Sequence, residues 1–312
     1  MDIVTILTVA VRHAGPVLLV AMGGLLASRV NIFNLALEGF MLIGAFSSIV
    51  GAFYTGNVWL GVLFGVLAST LMIIIYAVFI IELEVQPVVC AISIITLASG
   101  LTRYLLNPVF GVSGRYVLSS ELAMPVVHMN WLEAIPVAGQ ILNNHSLLVY
   151  FALVLPFVLA FVINKTKYGL DIRAVGMNEE AAVSAGIHVR KVKYSALMIN
   201  GILCGLGGAE LALSVYMFNV GMTNGRGYTA LAAITLAGCN PLLSLITCLL
   251  FGFAESLVVS LSGVGFSSYL LGMLPYALAL VAAVAPQVAR RCIHFIKRKK
   301  SETEMISEYY RN

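Results

Sequence analysis

Apolar positions along this chain gather into long unbroken runs, and the polar positions collect between them. Runs at about 11–30, 35–55, 58–82, 86–106, 146–163, 195–217, 242–262 and 266–289 each predict a helix. Each comes close to the roughly 20 apolar residues needed to cross a bilayer. A ninth piece, 228–239, is short. Its dozen residues rise about 18 Å against a hydrocarbon core of roughly 30 Å. It follows the breaker-rich Gly221–Gly227 and stops at Asn240-Pro241. Two readings stay open, a short spanning helix or the first arm of a re-entrant hairpin with 242–262. Residues 2–10 predict an interfacial helix ahead of Arg12 and His13, and Pro16, Pro156 and Pro275 predict kinks within runs. An outer-membrane barrel would show short alternating segments instead. The expected fold is all-α, a polytopic transmembrane helical bundle of about 8–10 spans.

Two interruptions matter most, because unpaired backbone groups are costly in hydrocarbon unless buried in protein or facing a wet cavity. The first, Asn31–Gly39, mixes Asn31, Asn34, Glu38 and Gly39 between apolar runs; the second covers 219–228. They share features. Gly39-Phe40 precedes an apolar stretch with Gly44-Ala45, then Asn57, then a span with Phe64-Gly65. Gly227-Tyr228 precedes one with Ala237-Gly238, then Asn240, then a span with Phe251-Gly252. One follows a span running in one direction and the other a span running in the opposite direction. This is the pattern of an inverted repeat, which in transporters places the pathway between the halves.

Composition agrees with the membrane reading. Of the 312 residues 60% are hydrophobic and only 10% charged, and the mean hydropathy is +0.98. Soluble domains carry about 25% charged residues, so soluble, disordered, collagenous and disulfide-scaffold classes are excluded. Six of the 18 Lys and Arg residues lie in 164–194 and seven in 290–312, whereas 107–145 has only Arg115. The positive-inside rule then places 164–194 and the tail in the cytoplasm and 107–145 outside, with the N-terminus outside and the C-terminus cytoplasmic. Residues 1–289 form one membrane domain. The basic tail 290–312 is a topology signal and a contact for anionic membrane lipid, not a nucleic-acid site. Cys90, Cys204, Cys239, Cys248 and Cys292 show no metal or disulfide spacing and are expected as free thiols. The first run lacks a basic leader and a clear cleavage site, so it is expected to stay as structure.

Within 164–194 the residues Met177-Asn178-Glu179-Glu180-Ala181-Ala182-Val183-Ser184-Ala185-Gly186 specify one short helix. Asn178 caps it, Glu179 and Glu180 suit its dipole, and Gly186 ends it. A helix this short is marginal in water, so it is expected to dock on something. From Arg173 to Ile187 the sequence resembles the coupling-loop motif of ABC-importer permeases for branched-chain amino acids, ribose-type sugars and nucleosides. The block Asn31–Phe46, the block Gly225–Ala232 and Asn240-Pro241-Leu242 are similar to that family in the same order. The first two look most like the shorter of two non-identical nucleoside-type permeases. Two departures, Cys90–Ser93 and Glu210, fall in candidate pore segments.

The resemblance implies that Met177, Asn178, Glu179, Glu180, Ala181, Ala182, Ala185 and Gly186 form a coupling helix seated on a cytoplasmic ATP-binding subunit. The chain has no G-x-x-x-x-G-K-[ST] phosphate loop. ATP and its Mg are therefore expected on that partner, with no cofactor or metal on this chain and no catalytic residue. The other implied partners are a second, non-identical permease subunit and an extracellular or periplasmic substrate-binding protein or lipoprotein. Nucleosides are the expected substrate, with a ribose-type sugar as the alternative.

Candidate pathway residues come from the polar positions in or beside apolar runs: Asn34, Glu38, Gln86, Asn200, Glu210, Asn219 and Arg226. Each has a structural alternative, such as capping by Asn34, interhelix bonding by Glu210 or bracing of a loop by Arg226. Glu255 is weighed in the same way, and Arg103 is expected to snorkel. Tyr216, Phe218 and Tyr228 suit either base stacking or an interfacial aromatic belt. Gly201–Gly208 is expected to serve close helix packing. A secondary transporter recruiting Glu210 or Glu255 for ion coupling is a reading from a different class. An intramembrane enzyme lacks the needed His, Asp or Ser constellations.

Overall fold

The computed structural model describes residues 3–128, 138–262 and Met273. The expected span 266–289, the tail 290–312, Pro275 and Cys292 lie outside the described residues. Seven helices are long and apolar enough to cross a membrane: α1 (Ile3–Arg29), α2 (Leu37–Thr55), α3 (Val58–Ile81), α4 (Pro87–Phe110), α6 (Leu147–Lys165), α9 (Val189–Leu213) and α11 (Pro241–Leu261). The shorter α-helices among the described residues are α5 (Ala138–Leu142), α7 (Lys167–Met177), α8 (Glu179–Ser184) and α10 (Arg226–Leu236).

Several polar breaks in the sequence are helix caps. Asn57, Ser146, Thr166, Asn178 and Asn240 each accept a backbone N–H from the first turn of the helix that follows. Gly56 and Gly111 close α2 and α4 in the left-handed conformation, with φ of 64° and 69°. That conformation costs glycine nothing sterically.

Three expectations change. Residues 3–10 are not a separate interfacial segment, because α1 runs unbroken for 27 residues and carries Arg12 and His13 within it. Nothing in Ile3–Ala10 breaks a helix, and its inner side is covered by α11: the Ser256 hydroxyl donates to the Ile6 carbonyl at 2.6 Å. The run expected at 195–217 starts earlier, at Val189, and stops at Leu213. Four short strands also qualify the all-helical expectation. β1 (Arg115–Val117) pairs antiparallel with β4 (Met217–Asn219), and β2 (Val126–Val127) with β3 (His145–Ser146). These ribbons lie in the connections at one end of the bundle. The basic segment α7–α8 lies at the other.

The packing repeats itself with exchanged partners. Helix α9 lies against α2 and α3, and α1 lies against α10 and α11. Exchanging α1 with α9, α2 with α10 and α3 with α11 maps one set onto the other, as an inverted repeat requires. The joints agree as well. Gly56 and Cys239 both have positive φ, and each is followed by an extended Asn that caps the next helix. The halves differ in length: α2 has 19 residues and α10 only 11.

Small residues bring the central helices together, since lipid gives no hydrophobic drive for helix association. A Cβ on Gly44 would lie 2.9 Å from the Gly205 Cα, and one on Gly205 would lie 2.6 Å from the Val66 Cα. This triple contact joins α2, α3 and α9. Nearby, Phe40 and Tyr76 are both fully buried and meet edge to face at 5.7 Å. Gly205→Leu is therefore expected to lower the thermal midpoint of the purified protein sharply, by the about 1–3 kcal/mol or more typical of overpacking. Leu67→Ala, on the exposed face of α3, should leave that midpoint nearly unchanged.

Candidate functional site

Helix α10 is too short to cross a bilayer. Its C-terminal end is fixed near the end of α1, where the Arg29 guanidinium donates to the Cys239 carbonyl at 2.6 and 3.0 Å. Eleven helical residues climb about 17 Å from there, so α10 starts near mid-depth. Its N-terminus meets the N-terminus of α2 head to head. The Glu38 carboxylate, in the first turn of α2, accepts the Gly225 N–H at 2.9 Å and the Gly227 N–H at 2.7 Å. An anion suits this place twice over, as acceptor for orphan N–H groups and as counter-charge to both helix dipoles. Gly227 is required sterically, because a Cβ there would collide with the Glu38 backbone.

The neighbouring Arg226 points the other way. Its Nη2 pairs with the Glu255 carboxylate on α11 at 2.9 Å, and its Nη1 donates to the Met222 carbonyl at 3.2 Å. Glu255 also faces His13 Nδ1 on α1 at 3.4 Å. Glu38 and Arg226 occupy matching positions of the two half-repeats, one before Gly39-Phe40 and one before Gly227-Tyr228. Both fasten the start of a half-helix to the opposite half or to its neighbour.

The other expected pathway residues are dispersed. Asn34 is buried in the turn before α2, where its Oδ1 accepts the Ala36 N–H at 2.9 Å. Asn200 is buried in α9 against Gly23 of α1 and accepts the Cys204 thiol at 3.1 Å. Glu210 lies deep beneath the ribbons, receives the Ser146 hydroxyl at 2.7 Å, and lines a small cavity of about 90 Å³ with Arg12 and Asn144. Asn219 is exposed on β4 opposite Arg115, and Gln86 is exposed at the start of α4 on the basic side. Of the aromatics, Phe218 is fully buried and packs edge to face on Phe46 at 5.1 Å, whereas Tyr216 and Tyr228 stay partly exposed. Glu38, Arg226 and the nearby Asn34 gather at one junction; the remaining four do not join it. Among the described residues no cluster of His, Cys, Asp or Glu is arranged to hold a metal ion.

At the basic end, α7 and α8 connect α6 to α9. The Asn178 Oδ1 accepts the Ala181 N–H at 3.0 Å, Gly186 takes φ of 81°, and Lys193 pairs with Glu179 at 2.6 Å. The short helix thus has the caps its sequence specifies. Its faces divide unequally. Ala182 is 3% exposed, within the core cluster that also holds Ile172, Val175 and Val192. Met177 at 88% and Val183 at 61% stand out instead, beside exposed Glu180, Ala181 and Ala185. The sequence reading passed over Val183, because the break at extended Asn178 sets the facing of α8 independently of α7.

The junction itself is testable. Glu38→Ala removes the acceptor for the buried Gly227 N–H, worth about 1–3 kcal/mol when orphaned, and for the part-buried Gly225 N–H. The purified variant is expected to melt at clearly lower temperature, and Glu38→Gln, which keeps one acceptor oxygen, should fall between it and the parent.

Comparison with known proteins covers nearly the whole chain. The model of the family described as branched-chain amino acid transport system / permease component matches residues 5–284. The guanosine ABC transporter permease NupQ of Bacillus subtilis is 33% identical over 276 residues, 83% of this chain and 84% of that protein. The nucleoside ABC transporter permease NupC of Lactococcus lactis is 32% identical over 322 residues, 96% of this chain and all of that protein. A provisionally named glucose ABC transporter permease of Haloferax volcanii, TsgC13, is 32% identical over 256 residues, 81% of this chain and 76% of that protein. No solved structure matches. With seven membrane-long helices and a family match over almost its full length, the chain is a multi-pass membrane protein that belongs to the branched-chain amino acid transport system permease family.

Proposed function

We propose that this chain is one permease subunit of an ATP-driven ABC importer for nucleosides and forms half of its translocation pathway. The observation that carries the reading is α8, a fully capped helix at the basic end with an apolar knob on its outward face. Nothing in this chain covers Met177 or Val183 among the described residues, and their exposure suits a groove on a cytoplasmic ATP-binding subunit. The residues Met177, Asn178, Glu179, Glu180, Ala181, Ala185 and Gly186 then hold the contact, with Ala182 seating α8 on its own chain. ATP and Mg belong to that partner, because the sequence has no phosphate loop. The chain performs no chemistry of its own.

A second, non-identical permease would complete the pathway, and an external substrate-binding protein or lipoprotein would deliver the solute. The basic loop and tail set the orientation, with the N-terminus outside and the C-terminus in the cytoplasm. Closure of the ATPase pair moves α8, and the pathway between the permeases opens outward. The similarity to guanosine and nucleoside permeases supports nucleosides as cargo. TsgC13 favours a second reading, a monosaccharide.

Uptake in cells that express this chain with its partner subunits decides between the two. Excess guanosine or uridine should abolish labelled nucleoside uptake, with excess glucose or ribose without effect; the opposite pattern would select the sugar reading. Uptake should also collapse on ATP depletion, and persistence driven by an ion gradient alone would reject an ABC mechanism. Coupling is tested at α8. Val183→Asp should abolish co-purification of the ATPase while leaving the spans inserted. Asn178→Ala should weaken the helix start by about 0.5–2 kcal/mol and reduce transport without loss of expression. Unchanged assembly and uptake in Val183→Asp would reduce 178–186 to a plain connector.

A further inference from the structure

Helix α4 differs from α3, α6 and α11 on its outward side. Helix α3 exposes only apolar side chains from Trp59 to Phe79, and α6 only apolar ones from Leu147 to Phe161. Such faces suit lipid. Helix α4 instead exposes Ser93, Thr96, Gly100, Arg103 and Asn107 at helical spacing, with Tyr104 beside them. The Ser93 and Thr96 hydroxyls donate to the Val89 and Ile92 carbonyls of their own helix, which leaves oxygen lone pairs turned outward. A guanidinium and a carboxamide held against hydrocarbon would be costly, and Arg103 and Asn107 stand on this face.

A second observation is independent of polarity. Every other glycine within α1–α4, α9 and α11 stands where a Cβ would come within 3.1 Å or less of a neighbouring atom. Gly100 alone has nothing within 4 Å. A glycine inside a helix lowers helix stability, and here no packing in this chain offsets that cost. The room it leaves opens onto a shallow open groove of about 580 Å³ lined by Ile92, Ser93, Thr96, Leu97, Leu101 and Tyr104. A second open depression of about 520 Å³ continues it toward the ribbon end, past Arg103, Tyr104 and Asn107. Neither encloses a solute by itself, so a facing surface would have to close the other side. Tyr104, 71% exposed, stands where the two meet.

We infer that this face of α4, from Ser93 to Asn107, is this subunit's wall of the solute pathway, and that it is shaped for a flat aromatic solute bearing hydroxyl groups. The inference rests on the nucleoside reading above and adds the residues that contact the cargo. Tyr104 offers a surface on which a base stacks. Ser93, Thr96 and Asn107 supply hydrogen bonds to sugar hydroxyls and base edges, and Gly100 leaves clearance for a ring to pass. Of the candidate pore positions read from the sequence, only Ser93 lies on this face.

The test uses the assembled transporter in membrane vesicles and a charged thiosulfonate reagent, which reacts only with thiols reached by water. Ser93→Cys, Thr96→Cys and Gly100→Cys are compared with Leu67→Cys on α3 and Val154→Cys on α6, both 57% exposed in the parent. The α4 cysteines should label much faster than the controls, labelling should stop uptake, and excess transported nucleoside should slow it. Tyr104→Ala should raise the KM for nucleoside uptake by about ten-fold, the scale of one lost base–aromatic stack, and Tyr104→Phe should restore it. Labelling no faster than at the controls would overturn the inference. So would labelling that the solute does not slow, or loss of the second permease from purified Gly100→Leu complexes, which would assign the face to a subunit contact. Sugar uptake by the parent would strike the nucleoside reading instead, and the α4 labelling rates would still decide whether that wall is wet.

Discussion

Backbone N–H groups at mid-depth in a membrane have no water to bond, and the architecture turns on how the start of α10 escapes that penalty. Glu38 supplies both acceptors from the far half of the molecule, 187 and 189 residues away in sequence. Because the bonds reach across the pseudo-symmetry, they fix the two half-repeats relative to each other as well as capping one helix. Without this carboxylate, Gly225 and Gly227 would need ordered water or a longer helix. With it, a short α10 is compatible with the bilayer, and the pairing of Arg226 with Glu255 follows from the same placement of the loop.

The pairing of charges in this region also explains why so few charges suffice. Glu38 is neutralised by backbone dipoles, and Glu255 by Arg226 with His13 alongside. Glu210 receives only a hydroxyl, and its second oxygen has no partner among the described residues. At Glu38, Glu210, Arg226 and Glu255, polar groups within apolar runs fix positions between segments.

The fold was more legible in the sequence than the burial of individual polar residues. Run lengths determine span existence, and Asn57, Asn178 and Asn240 mark helix starts by local chemistry alone. The repeat showed itself through paired Gly-aromatic and Asn landmarks, although unequal half-helix lengths hid its register. Burial cannot be read locally. Asn200 and Ser93 are both polar residues in apolar runs, yet one is sealed against Gly23 and the other faces outward. Ala182 shows the same limit: its motif position resembles a docking residue, but the turn at Asn178 rolls it into the chain's own core.

The glycine contacts among α2, α3 and α9 have a mechanical consequence. Backbones that touch through Gly44, Gly65 and Gly205 leave no side-chain layer to shear or slide. Close-packed interiors of this kind are stiff and switch between discrete arrangements rather than bending. These three helices should therefore travel as a single plank in any conformational cycle. Strain then falls where the chain enters this unit, at 30–36 before α2 and at 185–188 before α9. A stiff plank with compliant entries converts a push at α8 into displacement of the whole unit, and α4, whose Ile95 backbone meets Gly39 of α2, is carried with it.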